Sequence, residues 1–159
     1  MSAPFRVLFL CTGNSARSQI AQALLTHLGG DRFEAASAGT APAAQVNPGA
    51  LEALAEARIP WRGNPPRNVD GLENEQWNLV VTVCDDARES CPVLPAPAIK
   101  VHWGMPDPAA VQEPSARNRA FADTVRVLRG RVATLVALPV EDMPRAELED
   151  RLGAIGRSA

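Results

Sequence analysis

The sequence predicts an α/β domain built on a mostly parallel sheet. Three observations carry this. Short continuous apolar runs of strand length, FRVLFL, WNLVVTVC and AIKVH, are bounded by polar or turn-forming residues. Longer stretches with apolar residues at helical spacing lie between them, and strands alternating with helices build a parallel sheet covered on both faces. No internal repeat or linker divides the 159 residues, a length suited to one domain with its own core.

Phe5 to Leu10 reads as a buried parallel strand, because it is apolar without alternation. Ala16 to Leu28 is a helix, with Ile20, Ala23, Leu24 and Leu28 on one face and Gly29-Gly30 to stop it. Phe33 to Ala38 is a second strand. Asn47 caps a helix that opens with Pro48 and carries Ala50 to Ala57. Gly63 to Arg67 is a loop by composition. Trp77 to Cys84 and Ala98 to His102 are the remaining strands. A Pro- and Asp-rich loop spans Trp103 to Pro114, and Arg117 to Val136 is a long amphipathic helix with Val125, Leu128, Val132 and Leu135 as its stripe. Glu141 to Arg151 is a short helix at most, and Gly153 to Ala159 is expected to fray. The core is expected over about 5–138, with 139–159 as a tail of the same single domain spanning 1–159.

Composition narrows the function. Hydrophobic residues are 46% and charged residues 21%, with a net charge of -2. That balance supplies no basic field for nucleic acid or membrane. No apolar run is long enough to span a bilayer. VLFL is too short for a signal peptide and no small-residue cleavage site comes after it, so a cytoplasmic protein is expected. Three cysteines, an odd count, do not suit a secreted disulfide scaffold. In a reducing cytoplasm a bond between them is transient and catalytic rather than structural. The C-x6-C spacing of Cys84 and Cys91 and the presence of only two histidines argue against a metal site.

The chemistry concentrates after the first strand. Cys11-Thr12-Gly13-Asn14-Ser15-Ala16-Arg17 is a C-x5-R loop between a strand and a helix, with Ser18 next. A helix N-terminus offers partial positive charge and unpaired N–H groups, a seat for a tetrahedral oxyanion. Gly13 is expected to let the backbone curl so that successive N–H groups turn inward. The planar fork of Arg17 suits two oxygens of such an anion. The same field favours thiolate over thiol at Cys11, and Ser18 is positioned to donate its hydroxyl to the sulfur. Taken alone, the spacing fits a small buried cysteine and a surface arginine equally well. The strand–loop–helix context selects a nucleophile aimed at a bound oxyanion.

"VLFLCTGNSARSQIAQALL" resembles the phosphate loop of the low-molecular-weight protein tyrosine phosphatase superfamily. With "SAGT", "VTVCDDARESCPVLP" and "HWGMPDPA" added, the chain more closely resembles the thioredoxin-coupled arsenate reductases of that fold. The resemblance runs from about Phe5 to Leu138. It implies a three-layer domain with a four-stranded parallel sheet in the order 2-1-3-4 and helices on both faces. In that order strands 1 and 3 are neighbours about 4.8 Å apart, flanking the switch point where open α/β sheets bind ligands. Cys11 and Cys84 then end adjacent strands, and a disulfide needs Cα atoms about 4.4–6.8 Å apart, so the two can meet. Helical DDARES would separate Cys84 and Cys91 by about 10 Å, too far for a bond. A short helix capped by Asp85 or Asp86, ended by Pro92, is therefore expected to unwind when that bond forms.

The resemblance further implies arsenical resistance through arsenate reduction, by a cascade in which Cys11, Cys84 and Cys91 act in turn and thioredoxin reduces the final disulfide. Arg17 and the amides of Thr12 to Arg17 hold the oxyanion, Ser18 supports the thiolate, and Asp107 between two prolines is the general acid. Each residue has a plainer reading too: Cys84 as core, Cys91 as an incidental loop residue, Asp107-Pro108 as a turn. His102 and Trp103 are positional. The alternative function is a phosphatase hydrolysing phosphate monoesters with Cys11, Arg17 and Asp107. The chain has no tyrosine, whereas phosphatases of this fold usually carry aromatic residues beside the acid. A non-enzymatic oxyanion-binding or redox-sensing module is the third reading. No organic cofactor is required. Some relatives bind potassium near the loop, and Asn14 and Ser37 match that arrangement, but Gln22 stands where a glutamate serves, so such a site is expected to be weak or absent. Ala16 replaces a cysteine found in relatives, with no expected harm to turnover. Monomer is the default state.

Overall fold

A computed structural model of the protein describes residues 3–84 and 98–157. Strand β1 (Phe5–Cys11) lies between β2 (Phe33–Gly39) and β3 (Leu79–Thr82), and β4 (Ile99–His102) completes the sheet beside β3. All pairings are parallel and the order is β2-β1-β3-β4, as the resemblance implied. Val7, Leu8, Phe9 and Leu10 are all 0% exposed. Successive strand side chains point to opposite faces, so the central strand is covered on both sides. Each such side chain contributes about 1.5–3 kcal/mol when fully buried. That requirement is why the run is apolar without alternation.

Four α-helices are found among the described residues: α1 (Arg17–Gly29), α2 (Pro48–Glu56), α3 (Pro114–Ala137) and α4 (Arg145–Arg157). Helix α1 packs on β2 and α3, and α4 packs on β4. Asn47 caps α2 as expected, its Oδ1 accepting from Gly49 N–H at 2.8 Å with Pro48 next in line. The stripe Val125, Leu128, Val132 and Leu135 of α3 is buried.

Three boundaries differ from the sequence expectation. Helix α3 begins at Pro114, three residues before Arg117. The Glu113 carboxylate accepts from Ser115 N–H (3.1 Å) and Ala116 N–H (2.6 Å), and Pro114 suits a first helical position that needs no N–H. Strand β3 is shorter than Trp77–Cys84, because pairing with both neighbours stops at Thr82. Val83 still donates to the Leu10 carbonyl at 2.9 Å, which carries the chain on beside β1. The last helix starts at Arg145, not Glu141, and runs through Gly153 and Gly156 to Arg157 instead of fraying. Leu148, Leu152 and Ile155 are buried. A Cβ on Gly156 would collide with the His102 carbonyl oxygen, so this glycine is the surface that lets α4 touch the sheet. The expected helix opened by Asp85 or Asp86 and closed by Pro92, and Cys91 with it, lies outside the described residues.

Candidate active site

The parallel register brings the carboxyl ends of the strands to one edge. Cys11 pairs with Gly39, Leu10 with Thr82, and Thr82 with His102. Four pieces of chain leave the sheet there and meet: the loop 12–16 after β1, the segment 40–47 after β2, Cys84 after β3 and the loop 103–107 after β4.

The loop after Cys11 is shaped by where its carbonyls go. The carbonyl oxygens of Cys11, Thr12, Gly13 and Ser15 accept from the N–H groups of Thr40 (3.3 Å), Ala41 (2.9 Å), Ala43 (2.8 Å) and Asn47 (2.8 Å). The Asn14 carbonyl accepts from Gln19 Nε2 at 3.1 Å. A trans peptide sets its N–H opposite its C=O. Carbonyls anchored outward thus turn the adjoining amides inward, and a cup of N–H groups results. Helix α1 adds its first turn to the cup. Its N-cap residue, Ala16, brings no side-chain acceptor, and the first turn holds no acidic residue. Those amides stay available for an anion.

The curl itself comes from Asn14, not Gly13. Asn14 has φ 50°, and Gly13 is not in the left-handed region. Asparagine tolerates that conformation because its short side chain bonds locally. The glycine that the loop does require is Gly39, where a Cβ would collide with the Thr12 carbonyl oxygen and sit 3.0 Å from Asn14 N. β2 can approach the loop only without a side chain there.

Cys11 is buried, and its Sγ lies 2.8 Å from Ser18 Oγ and 3.2 Å from Asn14 N. The direction of the Ser18 bond is set by its neighbours. Asn14 Oδ1 accepts from Arg67 N–H at 3.0 Å, which identifies it as the oxygen and leaves Nδ2 as a donor. Nδ2 lies 2.8 Å from Ser18 Oγ. The serine oxygen is therefore occupied as an acceptor, and its own hydrogen is left for the sulfur. Two donors therefore face Cys11 Sγ. Ser18 and Asn14 are both 0% exposed, so no water competes for these bonds.

Cys84 is also buried and free. Its Sγ lies 3.2 Å from Thr12 N and 3.2 Å from Thr12 Oγ1. The second thiol is thus held at the residue adjoining Cys11. Arg17 extends toward the loop after β4, with Nη1 donating to the Met105 carbonyl at 3.0 Å and Nη2 3.9 Å from Asp107 Oδ2. Asp107 Oδ1 accepts from Ala109 N–H at 2.9 Å, opening a 3-10 turn over Pro108–Ala110. That contact fixes the carboxylate, with Oδ2 on the side of Arg17. His102 Nδ1 is 2.8 Å from Thr82 Oγ1, a bond between neighbouring strands, in keeping with a positional role.

Every expected site residue except Cys91 is thus gathered at one edge. The supports were not foreseen. Gln19, 1% exposed, joins the Asn14 and Asn64 carbonyls and accepts from Trp61 Nε1, tying the wall segment 61–67 to the loop. Arg67 seals the other side through Asn14 and through Ser37 O at 3.0 Å. A glutamine among the apolar positions of α1 was the available signal for Gln19. Of the residues matched to a potassium site, Ser37 Oγ donates to Gln22 Oε1 at 2.5 Å and Asn14 Oδ1 accepts from Arg67 N–H at 3.0 Å.

Comparison with known proteins agrees with this geometry. The model of the low molecular weight phosphotyrosine protein phosphatase family matches residues 6–146. Arsenate reductase 2 of Staphylococcus epidermidis is 42% identical over 103 residues, 65% of this chain and 78% of that protein. The crystal structure of an arsenate reductase from Archaeoglobus fulgidus superposes with a TM-score of 0.66 at 32% identity, covering 83% of this chain and 99% of that one. A thioredoxin-dependent arsenate reductase of Corynebacterium glutamicum gives 0.60 at 28% identity, over 83% and 64%.

Proposed function

This chain belongs to the low molecular weight phosphotyrosine protein phosphatase family, and from that premise we propose that it reduces arsenate to arsenite with thioredoxin as electron donor. The observation that carries the reading is the position of Cys84 Sγ, 3.2 Å from the amide of the residue next to Cys11. Ester hydrolysis has no use for a second thiol there. Disulfide exchange does.

Atoms and electrons balance at each step. The Cys11 thiolate attacks arsenic held by the cup amides and Arg17. Asp107 gives its proton to the departing oxygen, which leaves as water, and a sulfur–arsenic bond replaces the oxygen–arsenic bond. Cys84 thiolate then attacks the Cys11 sulfur. The sulfur–arsenic electron pair stays with arsenic, which leaves as arsenite, reduced by two electrons. Two sulfurs are oxidised to the Cys11–Cys84 disulfide. Cys91 attacks Cys84, releases Cys11 and leaves a Cys84–Cys91 disulfide, which the dithiol of thioredoxin reduces. The steps of Cys91 and of thioredoxin are each thiolate attack on a disulfide sulfur. The reaction needs no organic cofactor. Three working thiols suit a reducing compartment, the cytoplasm, and a monomer acting on a small inorganic anion needs no nucleic acid or membrane.

Arsenite formation in the presence of thioredoxin, its reductase and NADPH tests the proposal. It is expected to depend on thioredoxin, to be abolished by Cys84→Ser and to stop after one arsenite per protein in Cys91→Ser. Release of para-nitrophenol from its phosphate ester, robust and indifferent to both changes, with no arsenite formed, would instead establish the phosphatase reading. Phosphate and arsenate share shape and charge, so a weak ester hydrolysis alongside reduction is consistent with the proposal.

A further inference from the structure

The long helix α3 sends one charged side chain into the interior. Arg131 is only 9% exposed, on the buried stripe between Leu128 and Val132. Its Nη1 donates to the carbonyl oxygens of Trp103 (3.1 Å) and Gly104 (3.3 Å). These two residues come directly after β4 and begin the loop that ends in Asp107. Met105, the next residue, gives its carbonyl to Arg17. Three successive carbonyls at the root of the acid loop are therefore held by two guanidinium groups. Trp103 is locked as well: it is 0% exposed, its Nε1 donates to the Leu152 carbonyl at 3.0 Å and its N–H to Thr82 O at 2.8 Å.

Burying a guanidinium is costly. Desolvation lowers the pKa of Arg131 from its usual value, and a well-packed apolar residue in such a place is often as stable or more so. A charge kept there against that cost points to a task beyond packing. Resting on the reading of Asp107 as proton donor, we propose that Arg131 is a positioning residue, which fixes the root of the acid loop so that Asp107 keeps its place beside Arg17. The bonds from Arg131 Nη1 go to the root of the loop, so its effect on the reaction runs through Asp107. An error of about 1 Å in placing a catalytic group can cost up to about 100-fold, so a modest shift of this root is enough to matter.

A double-mutant cycle decides the question. Arsenite formed in a single turnover by the fully reduced protein is measured for the wild type, Arg131→Met, Arg131→Lys, Asp107→Asn and the Arg131→Met/Asp107→Asn pair, with folding checked by circular dichroism. Asp107→Asn is expected to slow the step by about 100-fold, the range of a general acid. Arg131→Met is expected to slow it by about tenfold without raising the arsenate concentration for half-maximal rate. Arg131→Lys, which keeps the charge, is expected to recover most of the rate. In the Asp107→Asn background, Arg131→Met should cost under about twofold, because the group it positions is already gone. Equal losses in both backgrounds, or a loss confined to arsenate affinity, would overturn the proposal while leaving Asp107 as acid. A fully active Asp107→Asn would overturn the acid reading and the Arg131 role together. Should Arg131→Met fail to fold, Arg131→Gln takes its place in both backgrounds and is judged by the same outcomes.

Discussion

At the scale of single residues, the site depends on who donates to whom. Ser18 gives its hydrogen to Cys11 only because Asn14 Nδ2 already occupies the serine oxygen, and Asn14 is oriented in turn by Arg67 N–H. A hydrogen bond to a charged group contributes about 1.5–3 kcal/mol. Ser18→Ala is therefore expected to slow alkylation of Cys11 by iodoacetamide at neutral pH by at least about tenfold, with Cys11→Ser as the blank. An unchanged rate would mean the hydroxyl does not serve the sulfur. Gly39→Ala drives a methyl into Thr12 O, and overpacking of this kind costs about 1–3 kcal/mol. The variant is expected to lose both thermal stability and affinity for inorganic phosphate, measured by calorimetry. Cys11, Arg17 and Ser18 stood out in the sequence because their chemistry is specific and their spacing is local, whereas Asp107 stood out only through the motif that carries the resemblance. Gly39 in "SAGT" was visible only as part of a motif. Its reason, an approach of two chain segments about 25 or more residues apart, exists only in the folded register. The same holds for Arg131, whose partners lie on another element.

At the scale of elements, boundaries are set by capping and by glycine. Glu113 holds the start of α3, and its bonds to the Ala116 and Ser115 amides and the Ser115 hydroxyl lower its carboxyl pKa below the ordinary value. A carboxyl whose pKa is lowered on folding stabilises the native state above the ordinary glutamate value, near about 4.3. That contribution is lost as pH falls from there through the lowered value. Glu113→Ala is expected to lower the thermal midpoint at pH 7, with the gap from wild type closing in more acidic buffer. A gap that stayed constant with pH would remove the charged cap from the explanation. Two helix glycines, Gly130 and Gly156, predict opposite signs. A Cβ at Gly130 meets nothing within 4 Å, whereas one at Gly156 collides with His102 O and meets Trp103 Cδ1 at 2.6 Å. Gly130→Ala should stabilise by about 0.5–1 kcal/mol, and Gly156→Ala should destabilise by about 1–3 kcal/mol, both read from urea unfolding. Equal effects would contradict the close seating of α4 on the sheet. The expected strands and α1 to α3 were legible because apolar runs and helical stripes are dense there. The extent of α4 was not, since Gly153 and Gly156 mimic a fraying end when the strand that Gly156 sits against is unseen.

At the scale of the whole molecule, four strand ends converge on one edge, and each delivers a different function. β1 presents Cys11 and the amide cup, the segment after β2 pins the cup's carbonyls, β3 leads to Cys84, and β4 leads to Asp107. Parallel pairing is what makes this possible, because it puts all carboxyl ends on the same side. The alternation of apolar runs and helical stretches was enough to foresee that sheet. The gathering of Cys11 and Cys84 needed the strand order as well, which no local pattern encodes. The most direct measurement traps the first disulfide. Reduced Cys91→Ser protein is mixed with one equivalent of arsenate and no other reductant, then alkylated and mapped by peptide mass spectrometry. One arsenite per protein with a Cys11–Cys84 disulfide is expected. All thiols alkylated and arsenate unchanged, or arsenite formed equally well by Cys11→Ser, would contradict it.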